Sequence, residues 1–396
     1  MVSDDHVGQD GSALDDDPGP GDFPATDEAL AMRLAAIDLP AYARTRNQLD
    51  GAVSRLSPYL THGFIGVPEV ITALRARGPL RTDHKFVFEL AWREYFHHVW
   101  SRLGEGIFSA LRPPPGRGYR MPLPEDLVSA STGVRIIDHA VRTLYDCGYL
   151  HNHARMWLAS YAVHLRKVDW RAGADWMYGH LLDGDLPSNH LSWQWVAGTL
   201  TGKPYLFNSD NVARYAPALA SRRSAIDRSY DELQHIACGG EDVGPETRQG
   251  PAVAMPPLGG IPPALEAQAR DLAAEMTGST LSLCHPWSLR AQPGAARVLL
   301  LQDFHQRWPW SARRWHFLTQ RIKNLNYQLL IKSSQDLSQF LSGVDVRACA
   351  ADHPRYDDAL RGVATVTAVS RQFANPPEFC RSFSAFWHRV APARKA

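Results

Sequence analysis

The stretch that decides the fold reads His151-Asn152-His153-Ala154-Arg155-Met156 and, some thirty residues on, Asp183-Gly184-Asp185-Leu186-Pro187-Ser188-Asn189, closing on Trp193-Gln194-Trp195. Asp185 suits the cap of a helix starting at Leu186, because its carboxylate can accept from the open first turn. Pro187 is tolerated there, where its missing N–H costs nothing. Asn189 and Trp193, four apart, then share a face. Asn152, Arg155, Met156 and Ala159 fall at i, i+3, i+4 and i+7, a second helix face. Arg155 beside Asp183 and Asp185 suggests a buried ion pair, costly unless further hydrogen bonds satisfy it. Such residues are expensive to bury unless something planar and polar is bound among them.

Working outward, Glu89, Trp92, Arg93 and Phe96 form a third helix face, a wall able to stack on a flat group and hydrogen-bond its edge. Ser54 and Ser57, in SRLSPYL (residues 54–60) after the Gly51 turn, present hydroxyls near a helix start, which suits phosphate oxygens. Each motif alone has an ordinary reading: a salt-bridged helix, a polar cap, a core tryptophan.

The pattern is helical from 28 to about 236, with strand-like alternation scarce. Residues 1–27 are rich in Asp, Gly and Pro and read as a disordered acidic tail. Residues 237–263 read as a linker. From 264 to 396 the grammar changes. Segments 281–285, 297–301, 327–332 and 365–369 are strand-like, and 311–326 and 334–341 are helical, with Ser311 a plausible cap. The expected fold is mainly α: an all-helical domain, a linker and a small C-terminal α/β, Rossmann-like domain. No Gly-rich nucleotide motif occurs in that last part.

Composition narrows the classes. The chain has 396 residues, 44% hydrophobic and 21% charged, with a net charge of +1. Any nucleic-acid contact must come from a local patch. Five scattered cysteines show no metal-ligand spacing and read as free thiols of a reducing compartment, with no metal expected. No apolar run nears the ~18 residues of a membrane span, and no signal peptide is legible. The expectation is a cytoplasmic monomer that makes no membrane contact.

Together the motifs resemble the DNA photolyase/cryptochrome family, over roughly residues 40–216. SRLSPYL, ELAWREYF (89–96), HNHARM (151–156) and LLDGDLPSNHLSWQW (181–195) occur in family order. The resemblance implies FAD, with Tyr42, Ser54, Leu56 and Ser57 at its phosphate and ribityl part. Arg93, Asn152, Arg155, Asp183 and Asp185 would also bind it, and Asn189 would face the flavin N5. Glu89, Trp92, Asn152, Met156 and Trp195 match contacts to a flipped cyclobutane pyrimidine dimer in damaged DNA. Trp193 and Trp170 match proximal and middle members of a photoreduction chain.

The implied reaction is light-driven electron transfer from reduced FAD, a photo-lyase cleaving carbon–carbon bonds. The alternative is a cryptochrome-like blue-light sensor that binds FAD, does no repair and signals to a partner. Departures from the pattern are Val53, Tyr149 and His153. The surface member of the Trp chain has no match near Tyr119 and Met121. The His pair expected for (6-4) lesions is absent. An α/β domain normally precedes this helical domain; here only about forty residues do. The C-terminal α/β segment, with HPWSLR (285–290), resembles that antenna domain moved to the other end, and whether it holds a second chromophore is left open.

Overall fold

The computed structural model describes residues 22–246, 250–269, 280–290 and 296–391. Helices α1 (Asp27–Ala35), α2 (Leu39–Thr45), α3 (Ser57–Thr61), α4 (Val67–Arg75), α5 (Lys85–Leu103) and α6 (Glu125–Val128) come first. Then follow α7 (Arg135–Cys147), α8 (Asn152–Ser160), α9 (Trp170–His180), α10 (Leu186–Ala197), α11 (Ser209–Tyr215) and α12 (Tyr230–Cys238).

Local chemistry sets the boundaries that matter for the site. Asp185 caps α10 by accepting from the Ser188 N–H at 3.2 Å. Gly198, at φ +81°, ends it in the left-handed conformation that glycine adopts without strain. Asp169 caps α9 through the Arg171 N–H at 2.8 Å. The His151 ring nitrogen accepts from the His153 N–H to start α8.

The C-terminal part contains β1 (Leu258–Gly259), α13 (Pro263–Glu266), β2 (Thr280–Cys284), β3 (Ala296–Leu301), α14 (Phe304–Arg307), β4 (Trp310–Ser311) and α15 (Ala312–Asn324). It continues with β5 (Gln328–Ile331), α16 (Ser334–Phe340), β6 (Asp345–Cys349), α17 (Pro354–Arg361), β7 (Thr365–Thr367) and α18 (Phe383–Val390). Five strands form a parallel sheet in the order β5-β3-β2-β6-β7. The order reverses between β2 and β6, and such a reversal leaves a crevice beyond the carboxyl ends of the two strands. Ser311 caps α15 as its sequence suggests. Strand β6 and helices α17 and α18 were not among the elements read from sequence.

Two expectations change. Residues 22–27 are not tail: Phe23 and Ala25 are buried, Thr26 caps α1, and the Phe23 ring packs on Tyr149 at 5.2 Å. The rest of the expected acidic tail, 1–21, lies outside the described residues. The linker is no free tether. Val243, Glu246 and Val253 donate backbone hydrogen bonds to Leu165, Thr132 and Ser129, and β1 pairs with β4.

Burial also divides differently from sequence. One core cluster joins the first helices to the sheet, with Phe64 stacked on Phe317 of α15 at 5.5 Å. Each such buried aromatic is worth about 1.5–3 kcal/mol. The other cluster holds α6–α12 and contains Trp157, Trp170, Trp176 and Trp193. Helix α10 packs on α5, α8 and α9 and so lies where the candidate faces meet.

Candidate functional site

The acidic turn before α10 is fastened from several elements. Leu182 donates its N–H to Gly148 O at 2.8 Å, and its own carbonyl lies 3.0 Å from His62 Nε2. Thr61 Oγ1 donates to Asp183 O at 3.3 Å. Arg314 of α15, fully buried, donates to Gly184 O at 2.6 Å and to Tyr178 O at 3.2 Å. Its guanidinium lies 3.9 Å over the Trp310 ring. A Cβ on Gly184 would stand 2.4 Å from Arg314 Nη1 and 2.6 Å from Tyr178 O, so this position needs glycine for close approach.

The two carboxylates of the turn part company. Asp183 takes Arg155 through one guanidinium nitrogen, at 2.7 and 3.0 Å. Asp185 pairs with Arg93 at 3.3 Å and His97 at 3.1 Å, and Ser188 Oγ also donates to it. The sequence had placed both beside Arg155; the geometry sends Asp185 to α5 instead. Burial would raise the Asp185 pKa, but Arg93 and His97 hold it well below the usual carboxylate range.

Helix α10 presents Asn189, whose Nδ2 donates to Ala174 O at 2.8 Å. That leaves the amide oxygen for a ligand. Trp193 is buried, its Nε1 without a hydrogen-bond partner among the described residues. It lies against Gly173 so closely that a Cβ there would meet its ring at 2.3 Å. Trp170 opens α9 one turn before Gly173 and joins the same buried cluster. Trp195 is half-buried, tilted on Tyr205 at 5.5 Å.

On α5, Glu89 pairs with Arg46 of the α2 end at 3.4 Å and is partly exposed. Burial pushes its carboxyl pKa up against the pull of Arg46. Phe96 is buried. Trp92 is half-buried, and Phe383 of α18 stacks on it at 4.0 Å with the planes 9° apart. The face expected to stack on a ligand is thus shared with an aromatic of this same chain. On α8, Asn152 is exposed, with Nδ2 3.5 Å from Met156 Sδ.

In the 54–57 loop, Arg55 adopts φ +51°, a conformation unusual for a side chain of its size. Leu56 is buried beneath it, while Ser54 and Ser57 are half-buried. The α3 start has no side-chain cap. Tyr42 of α2 packs edge-on against Phe86 at 5.1 Å, and burial raises its phenol pKa. Among the described residues no His/Cys/Asp/Glu group is set to hold a metal.

Sequence reasoning missed His97, Arg314, Arg46 and Asp352. His97 continues the stripe Glu89–Arg93 by another four residues, a legible signal. Nothing in ARRWHF marks Arg314 as the residue that crosses to the turn.

Residues 86–237 match the family model described as the FAD binding domain of DNA photolyase. The helical part of the chain is thus similar to the FAD binding domain of DNA photolyases. A deoxyribodipyrimidine photo-lyase of Streptomyces griseus is 35% identical over 206 residues, covering 48% of this chain and 45% of that one. A cryptochrome DASH of Idiomarina loihiensis is 34% identical over 168 residues, 40% of this chain and 37% of that one. A solved Synechocystis cryptochrome superposes with a TM-score of 0.42 at 28% identity, covering 48% of this chain and 43% of its own. The chain spans about half the length of the curated relatives it matches. Among the described residues no helix is long and apolar enough to cross a membrane.

Proposed function

We propose that this protein binds FAD and uses blue light to split a cyclobutane pyrimidine dimer flipped out of DNA. The observation that carries the reading is the seating of α10 against α5, α8 and α9, which gathers the faces of all three helical motifs. The residues fit the cofactor. An amide oxygen on Asn189, an unpartnered Trp193 Nε1 and the Arg155–Asp183 pair are polar features that a flat heterocycle would use. Tyr42, Ser54, Leu56 and Ser57 would hold its phosphates and ribityl chain. Arg93, Asn152, Arg155, Asp183, Asp185 and Asn189 would hold its rings. When bound and reduced, FAD supplies an electron on excitation.

This chain's own groups do the rest. Trp92, Trp195 and Met156 flank the extruded lesion, and damaged bases leave the stack at lower cost than paired ones. Glu89, paired with Arg46, would present its carboxyl to the edge of a base. Trp193 and Trp170 conduct electrons inward. The parallel sheet takes the place of the α/β domain that accompanies the helical domain in the family.

The test is repair of a dimer-containing oligonucleotide by chemically reduced protein under blue light and in darkness. Light-dependent loss of the dimer supports the reading. A yellow, FAD-loaded protein that repairs nothing refutes it. That result would favour a blue-light sensor with a protein partner, for which the Phe383 stack on Trp92 already speaks.

A further inference from the structure

His97 sits between two carboxylates from different parts of the fold. Nε2 lies 3.1 Å from Asp185 Oδ1, in the turn before α10. Nδ1 lies 2.9 Å from Asp352 Oδ2, just beyond the carboxyl end of β6. A carboxylate only accepts hydrogen bonds, so both ring nitrogens must donate, and only the imidazolium has two N–H groups. The surroundings are charged on every side. Arg93 joins Asp185 from α5, and Arg371, beyond β7, joins Asp352 at 2.8 Å. Glu94, the next residue of α5 after Arg93, accepts the Gln372 and Phe373 N–H groups at 2.8 Å each. His353 and His285 line the same crevice, and Trp100 of α5 lies at 6.3 Å.

We propose that His97 is a positioning residue for the cofactor pocket. As an imidazolium shared by Asp185 and Asp352, it holds Asp185 in place only while the α/β part is docked and its ring carries both protons. This rests on the FAD reading above, since Asp185 is one of the residues assigned to the flavin. It adds a dependence of that pocket on pH and on the sheet.

The sign follows from the partners. Burial alone would lower the His97 pKa, but Asp185 and Asp352 outweigh it and the pKa is raised. A raised pKa means the bridge is fully present below the ordinary histidine value and is lost as pH rises through the folded-state value. His353, which faces the same groups without their hydrogen bonds, goes the other way: burial holds its pKa well below normal.

The experiment uses the full chain as purified, wild type beside His97→Gln and Asp352→Asn. Histidine ring nitrogens are followed by NMR, and flavin retention is read from visible absorbance after gel filtration, both from about pH 6 to about pH 9. In wild type, His97 should titrate above the ordinary value of about 6.5. Flavin retention should weaken toward alkaline pH, about tenfold in affinity for each pH unit by which the two events are linked. Asp352→Asn should move both midpoints to lower pH. His97→Gln should flatten the retention curve, since the amide has no proton that titrates over this range. A His97 that titrates at or below the ordinary value overturns the proposal. So does His97→Gln retaining the wild-type pH curve. A colourless protein would sink the FAD reading while the NMR titration still decides the bridge.

Discussion

Arg314→Leu should loosen the acidic turn more than any change within the turn's own side chains. The guanidinium is fully buried and donates to two backbone carbonyls, Tyr178 O and Gly184 O. A buried acceptor left unpaired costs about 1–3 kcal/mol, so the pair costs about 2–6. Loss of the cation from above Trp310 adds about 1–2 kcal/mol. Against this, no carboxylate among the described residues hydrogen-bonds the guanidinium, and leucine spares the chain the desolvation of a buried cation. The net expectation is about 2–4 kcal/mol, read as a lowered urea midpoint with an unchanged slope. Gly184→Ala attacks the same contact from the other side: the new Cβ would meet Tyr178 O, a backbone atom that cannot swing away, at 2.6 Å. The double variant should cost less than the sum of the two, because both remove one interaction. Arg314→Leu within about 0.5 kcal/mol of wild type, the range of an inert surface change, would refute the reasoning.

Gly173→Ala puts a methyl 2.3 Å from the Trp193 ring. It should displace that indole and slow photoreduction of bound flavin, and photoreduction at the wild-type rate would show that the seam relaxes elsewhere. Trp193→Phe should slow photoreduction while the flavin stays bound; an unaltered rate removes Trp193 from the relay. Asn189→Asp puts a carboxylate at the position proposed to face the flavin and should lower light-driven repair, whereas unchanged turnover rejects the contact. Trp92→Ala should weaken binding of dimer-containing DNA by about 1–3 kcal/mol if base stacking survives the presence of Phe383. Equal affinity of variant and wild type in a gel-shift titration would show that the ring serves α18 alone.

What was legible in the sequence was local. The Asp185 cap, Pro187 in the first turn and the shared face of Asn189 and Trp193 depend on neighbours within a few residues, and they stand as read. The split between Asp183 and Asp185 was not legible. Their partners, Arg155, Arg93 and His97, lie on two helices whose mutual placement no periodicity encodes. Strand β6 was missed for a different reason. Val346 and Ala348 are buried while Asp345 and Arg347 are exposed, so its pattern alternates. The unbroken apolar runs at 298–301 in β3 and 329–331 in β5 announce buried parallel strands more loudly. Phe23 and Ala25 were lost in a segment whose composition is otherwise that of a disordered tail.

The sheet order explains why these unread contacts fall where they do. With β2 and β6 adjacent and the order reversing between them, the loops after both strands must open side by side at one edge. The loop after β2 carries Pro286, whose carbonyl lies 2.8 Å from His62 Nδ1. The loop after β6 carries Asp352 against His97. His62 in turn faces Leu182, and His97 faces Asp185, the two sides of the acidic turn. Two histidines of the helical part therefore read the two strand ends of the switch point. They are tuned oppositely: His62, among carbonyls and near Arg314, is pushed down to about 3 by burial, while His97, between carboxylates, is pushed up. A sheet docked with any other edge inward would leave the His97 imidazolium without Asp352 and the acidic turn without Arg314. The docking geometry is thus specified by buried polar contacts, which penalise every wrong orientation, as well as by the apolar core, which tolerates several.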